Sequence, residues 1–213
     1  EAERQLCRSV FGRFLAPNSI VGCGIEMAPE AEWSGVKAKY ELPDEYVLYL
    51  GRVSKAKVDK LLPYFLRCKA KYGGDAKLVL VGGFENEIRK FDSPDILFTG
   101  YVSDEEKTAI VRHATVMVNP SPMESLSLLM LEGMQSRIPL LVNGRSKVMK
   151  DHCRLSGAGL WYNNGRDFRK KLHRLLSDPE LRRTMSEKGP AYVREHYDWE
   201  IIIPKLRTLI ESI

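Results

Sequence analysis

Residues 115–142, TVMVNPSPMESLSLLMLEGMQSRIPLLV, contain two short β-like runs, 116–118 and 138–142, on either side of a helix-like run. Asn119-Pro120-Ser121-Pro122 and Glu124 mark the entrance to that middle run. Strand, tight loop, helix, strand is one turn of an open α/β fold. Ligands of such folds bind beyond the carboxyl ends of the strands, where helix N-termini also point. Glu124 stands at that mouth, and Glu132 follows eight residues later.

The same alternation extends outward in both directions. Residues 46–50 (YVLYL) are a near-continuous apolar run ended by Gly51, and 77–81, 96–98 and 159–162 read as further strands. Runs of this kind are buried parallel strands with helices over both faces. From Arg52 to Lys57 the chain leads into a helix expected to reach about Lys71, with Val58, Leu61, Leu62, Phe65 and Leu66 on one face and Gly73-Gly74 as its stop. Ser103 followed by Glu106 signs a capped helix over 104–113. Residues 143–154 read as a loop and short helix, 167–176 as a helix, and Pro179 as the first position of another running toward Lys188. Segment 19–21 reads as a short strand, 26–45 as surface connection and 84–93 as a small polar segment. The expected organisation is a leading helix or linker over 1–18, then one doubly wound, Rossmann-like α/β domain over 19–198. An amphipathic helix with a kink or start at Pro204 completes it over 199–213.

Composition sets the class. The 213 residues are 44% hydrophobic and 29% charged, globular values that allow a sizeable core. A net charge of +5 suits an anionic ligand, nucleic acid or an acidic membrane face without choosing between them. The 33 basic residues are distributed along the chain, mainly on helices such as 166–174, and balanced by 28 acids, which disfavours a nucleic-acid surface built from clustered cations and aromatic platforms. Cysteines 7, 23, 68 and 153 form no CxxC pair and read as reduced thiols of an intracellular, cytoplasmic protein. No apolar run approaches the roughly 20 residues of a membrane span, and no signal peptide is expected. The chain begins without methionine, so it reads as an excised or processed piece.

Four side chains carry the chemistry. Arg52 and Lys57 follow the carboxyl end of a buried strand, where Gly51 lets the backbone turn and approach a ligand. An arginine fork and a mobile lysine charge together suit a diphosphate and the charge that develops on its departure. No GxGxxG or GxxxxGK[ST] stretch accompanies them, which argues against a nicotinamide or Walker-type site. With a helix starting near Ser125, the amides of Ser125 and Leu126 face a bound anion. Glu132 then lies about 12 Å from Glu124 along the axis, the scale of a nucleoside diphosphate sugar. One carboxylate serves a sugar ring and the other the ribose hydroxyls; alternatively Glu132 is a salt bridge to a neighbouring lysine and Glu124 a helix-start carboxylate favoured by the dipole. His113, His152, His173 and His196 are scattered and read as surface or packing residues.

Together these residues resemble the C-terminal, nucleotide-sugar-binding domain of a retaining family 4 glycosyltransferase of the two-Rossmann-domain (GT-B) type. The resemblance rests on Gly51-Arg52 with Lys57, Gly100-Tyr101-Val102-Ser103, Glu124 with Glu132, and Ile138-Pro139-Leu140-Leu141-Val142, in that order from about 19 to 190. It implies that Arg52 and Lys57 bind the diphosphate of a UDP- or GDP-linked sugar, with the amides at Ser125, Leu126 and Ser127 on the distal phosphate. It also implies that backbone at Tyr101 and Val102 receives the base, Glu124 the transferred sugar and Glu132 the ribose. No metal and no further cofactor are implied. The implied partner is an N-terminal acceptor-binding domain absent from these residues, with contact to a membrane face open for the intact enzyme.

The chain departs from the family at two places. Ser125-Leu126-Ser127 stands where Gly-Phe-Gly is usual, and Asn143-Gly144-Arg145-Ser146 with Lys147 and Lys150 replaces a Gly-Gly turn and glutamate. The rival readings are another sugar-nucleotide enzyme of this fold, such as an epimerase or phosphorylase, and a non-catalytic Rossmann domain that binds nucleic acid or protein.

Overall fold

Short apolar runs become strands here because helices cover both sides of each one. They are β1 (Tyr46–Leu50), β2 (Lys77–Val81), β3 (Ile96–Gly100), β4 (Val116–Asn119), β5 (Leu140–Asn143) and β6 (Gly159–Tyr162). The computed structural model describes residues 2–14, 19–85, 88 and 93–211. The strands form one sheet in the order β3-β2-β1-β4-β5-β6, every neighbour parallel. In this doubly wound order the chain changes direction across the sheet between β1 and β4, which opens a crevice at their carboxyl ends.

One face is covered by α4 (Leu61–Tyr72) and α8 (Gly165–Ser177), whose Leu62, Phe65, Phe168 and Leu172 close over Val47, Leu78 and Val116. The other face carries α5 (Asp104–Arg112), α6 (Leu128–Gln135), α7 (Lys147–Ser156) and α9 (Pro179–Tyr197) around Leu48, Met117 and Leu140. Ser103 caps α5 as expected: its hydroxyl accepts from the Glu106 amide while Glu106 accepts from the Ser103 amide.

Several expectations are corrected. The helix expected from 52–57 to Lys71 is two: α3 (Lys55–Val58) and α4 are separated at Asp59-Lys60. Residues 19–21 are not a strand. The segment instead runs beside α9: Ile20 and Val21 line a pocket with Tyr192 and His196, and the Ile25 amide donates to the Tyr197 carbonyl. The connection over 26–45 contains α2 (Trp33–Tyr40), hidden from pattern reading because only Val36 of it is buried. The helix expected toward Lys188 continues through Pro190 to Tyr197, since Gly189 and Pro190 are themselves buried against the domain. The leading segment forms α1 (Ala2–Phe11) and a 3-10 turn, Gly12–Phe14; its last expected residues, part of 84–93 and residues 212–213 lie outside the described residues. The final helix, α10 (Trp199–Glu211), runs through Pro204 without ending there. It sets Ile202 into the domain and leaves Ile203, Leu206 and Ile210 exposed.

His152 on α7 is a packing histidine, as its scattered position in the sequence suggests. Its Nδ1 lies 2.8 Å from the Tyr192 hydroxyl, and the rings of Tyr192 and Tyr197 surround it. Burial pushes its pKa down to about 4, with Asp151 opposing. The folded state therefore binds fewer protons than the unfolded state between that value and the ordinary 6.5. Stability is full above the unfolded pKa and falls as the pH drops toward about 4, by about 2–3 kcal/mol at most. Melting temperatures followed from pH 7 to 4 are expected to fall less steeply in His152→Gln than in the wild type. Equal slopes refute the assignment.

Candidate functional site

The crevice between β1 and β4 holds a cavity of about 270 Å³ lined by Tyr49, Gly51, Arg52, Lys57, Asn119 and Glu124, with Leu126, Ser127, Leu128 and Leu129 on its far wall. Its floor is set by glycine chemistry. β1 ends at Gly51 and β2 at Gly82, and both residues take positive φ, 130° and 129°. A Cβ on Gly82 would lie 2.3 Å from the Gly51 carbonyl oxygen, so the two strand ends touch backbone to backbone. Beyond Gly51 the Arg52 carbonyl accepts from the Tyr49 hydroxyl at 2.9 Å, which fixes where the arginine leaves the sheet. Burial, with the Glu124 charge adding to it, pushes the Tyr49 phenol up to about 12, so it keeps that proton at neutral pH. Four residues of α3 turn Lys57 back over the same space. Its Nζ is 3.9 Å from Glu124 Oε1, with Lys57 roughly half exposed and Glu124 largely covered.

The opposite wall is held by two asparagines at strand ends. Asn119 donates to the Ser127 hydroxyl at 3.1 Å and accepts from the Ser121 amide at 3.0 Å. Asn143 donates to the Pro120 carbonyl at 2.9 Å. These bonds keep residues 120–127 out of the helix, so α6 begins at Leu128 with Ser127 as its N-cap. The expected start near Ser125 is thereby corrected. The amides that open the helix and lack an intrahelical partner by geometry are those of Leu128 and Leu129, not Ser125 and Leu126. Glu124 lies outside the helix, so the 12 Å axial spacing to Glu132 does not apply. Ser127 takes an extended conformation (φ −94°, ψ 95°) that any L-residue adopts, so the serine in place of glycine costs no backbone strain here.

Arg52, Lys57, Glu124, Leu126 and Ser127 are thus brought together, whereas Ser125 is exposed and outside the cavity. Glu132 does not line the cavity either. It is 9% exposed, and Lys107 on α5 lies 3.3 Å from its Oε1, the salt bridge that was the alternative reading. Its Oε2 is buried and, among the described residues, has no hydrogen-bond partner. Tyr101 is 86% exposed, with its ring against Gly83 at the end of β2, and Val102 packs partly buried on the core. Sequence reading missed Tyr49, Asn119 and Lys107. The first two reveal themselves only as the last inward or bonded positions of strands, and Lys107 lies 25 residues from its partner.

The family model described as glycosyl transferases group 1 matches residues 35–192. The chain belongs to this family. Among curated relatives, alpha-D-kanosaminyltransferase of Streptomyces kanamyceticus is 30% identical over 75% of this chain and 44% of its own length. Sucrose-phosphate synthase from Thermosynechococcus elongatus superposes with a TM-score of 0.78 at 20% identity, over 99% of this chain and 56% of that one. The C-terminal domain of a glycosyl transferase group 1 family protein, LpcC, from Francisella tularensis gives 0.66 at 19% identity, over 80% of this chain and 95% of that domain. HepE of Anabaena, solved in complex with UDP-glucose, gives 0.70 at 13% identity over 86% and 54%. These likenesses carry the fold: a Rossmann-like α/β domain of GT-B type. The chain spans about a third to a half of the length of the curated relatives it matches. Among the described residues, no helix is long and apolar enough to cross a membrane.

Proposed function

We propose that this chain is the donor-binding half of a retaining glycosyltransferase that moves a sugar from a nucleoside diphosphate to an acceptor hydroxyl. The observation that carries the reading is the cavity at the β1/β4 switch, where Arg52 and Lys57 face Glu124 and the N-terminus of α6. Two cations and a helix mouth within one small crevice suit a diphosphate, and a carboxylate beside them suits sugar hydroxyls. Arg52, Lys57 and the amides of Leu128 and Leu129 hold the diphosphate and stabilise the charge it gains as the glycosidic bond breaks. Glu124 orients the transferred sugar. The acceptor hydroxyl attacks the oxocarbenium-like carbon from the face the diphosphate is leaving, and its proton passes to the departing phosphate oxygen, so configuration is retained without a protein base.

Glu132 takes the ribose hydroxyls through Oε2. A buried carboxylate oxygen without a partner is costly unless a ligand completes it, and that supports the role. Backbone at Tyr101 and Val102 receives the base. The LpcC likeness, together with the partial coverage of the longer relatives, supports a C-terminal domain whose acceptor-binding partner domain lies elsewhere. Without that domain neither the acceptor is positioned nor water excluded, so the chain alone transfers little. HepE's UDP-glucose complex supports a uridine diphosphate sugar ahead of a guanosine one.

Millimolar UDP-glucose or GDP-mannose is expected to raise the melting temperature of the 213-residue chain by several degrees, with binding heat in calorimetry. Free UDP is expected to retain most of the effect. No shift and no heat with a panel of nucleotide sugars would overturn the donor-site reading.

A further inference from the structure

α4 and α8 are separated by about a hundred residues in the chain yet pack side by side on one face of the sheet. Together they contain eight lysines and arginines against a single acid, Asp167. The whole chain has only five more basic than acidic residues, so acids are in slight excess over the rest of it. The charge is ordered. Arg67 and Lys71 on α4 extend the row begun by Lys60, and Arg166, Lys170 and Arg174 form a second row at four-residue spacing on α8. All six are exposed, and none is in an ion pair among the described residues. The cations that do have acidic partners, Lys69 with Asp95 and Lys171 with Asp167, are the more buried ones beside these rows. Exposed Asp59 and Asp75 bound the face at either end of α4.

We propose that this two-helix face docks the domain on an anionic lipid surface. A solvated helix face mixes both signs, and six unpaired cations in two adjacent rows repel one another unless an external anion compensates them. The shape of the patch selects between polyanions. It has no exposed aromatic or large aliphatic side chain to stack bases or to insert. Tyr64 and Tyr72 are spent on packing, against Phe168 and His173. A smooth basic face of two neighbouring helices matches lipid headgroups, where each juxtaposed cation strengthens binding by about fivefold. The sequence already places many basic residues on helices such as 166–174; the fold lays α4 beside that helix. The proposal is independent of the donor cleft.

Co-sedimentation of the chain with phosphatidylcholine vesicles containing about one-third phosphatidylglycerol tests it. Binding to these vesicles but not to pure phosphatidylcholine is expected, weakening steeply with added salt. A combined Arg67→Gln, Lys71→Gln, Lys170→Gln, Arg174→Gln variant is expected to lose at least about a hundredfold in affinity. These exposed positions leave the melting temperature and any nucleotide-induced shift unchanged. Equal binding to both vesicle types, or undiminished binding by the variant, overturns the proposal. So does tighter, patch-dependent binding to a short single-stranded RNA in the same buffer, which reassigns the face to nucleic acid.

Discussion

Arg52→Ala and Lys57→Ala each lower the affinity of the chain for UDP by about ten- to a hundredfold, the cost of losing a charge-assisted hydrogen bond to phosphate. The two losses have different origins. Arg52 leaves the sheet at a point where the Tyr49 hydroxyl fixes its backbone carbonyl, and its exposed side chain lines the cavity, so its removal is expected to take away a phosphate contact without disturbing the cavity. Lys57 also screens Glu124 across 3.9 Å. With Lys57 gone, that carboxylate faces the incoming phosphate uncompensated, and repulsion adds to the lost contact. Double replacement Lys57→Ala, Glu124→Gln is therefore expected to recover part of the loss for UDP. Neither cation is buried, and the pair is too exposed to matter to folding, so unliganded melting temperatures stay within a degree or two of the wild type. Glu132→Gln separates the ribose from the phosphates: it weakens UDP but leaves inorganic pyrophosphate unaffected, whereas Arg52→Ala weakens both. Calorimetry with the two ligands reads all of these variants. Unchanged UDP affinity in Glu132→Gln would remove the ribose role, and unchanged affinity in both cation variants would remove the diphosphate site.

The second large effect is on the frame beneath that site. Gly82→Ala puts a methyl group 2.3 Å from the Gly51 carbonyl oxygen at a φ of 129°. Backbone meets backbone there, so no side chain can swing aside; β1 and β2 have to separate at their carboxyl ends. Overpacking and the unfavourable φ together are expected to cost about 3–4 kcal/mol, enough to unfold a large fraction of a marginally stable domain. Gly100→Ala is the control. It also stands at a strand end with positive φ, 75°, but the nearest atom to its new Cβ is a Phe84 ring carbon at 4.0 Å. Only conformational strain remains, about 1 kcal/mol. Urea unfolding measures both, and a Gly82→Ala variant no less stable than Gly100→Ala refutes the contact. Whatever folded Gly82→Ala survives is expected to bind UDP poorly, because Gly51 sets the course of Arg52.

Much of this architecture is local and therefore readable from the chain. Continuous apolar runs such as 46–50 and 77–81, closed by glycines, read as buried strands, the Ser103–Glu106 pair signs its own helix start, and Gly51-Arg52 and Glu124 are placed at strand ends, where they line one cavity. What escaped reading depends on partners distant in sequence. The start of α6 at Leu128 follows from Asn119 holding Ser127, a bond that no helix-start propensity anticipates. Lys107 meets Glu132 only because α5 and α6 lie side by side, and one oxygen is left over only because nothing else reaches it. The basic run over 166–174 is legible in the chain, but that it lies beside the cations of α4 follows only from α8 packing against α4. Periodicity and capping, which act within a few residues, determined the elements; which side chains share a surface was decided by the packing of helices on a twisted sheet, where burial overrides distance along the chain.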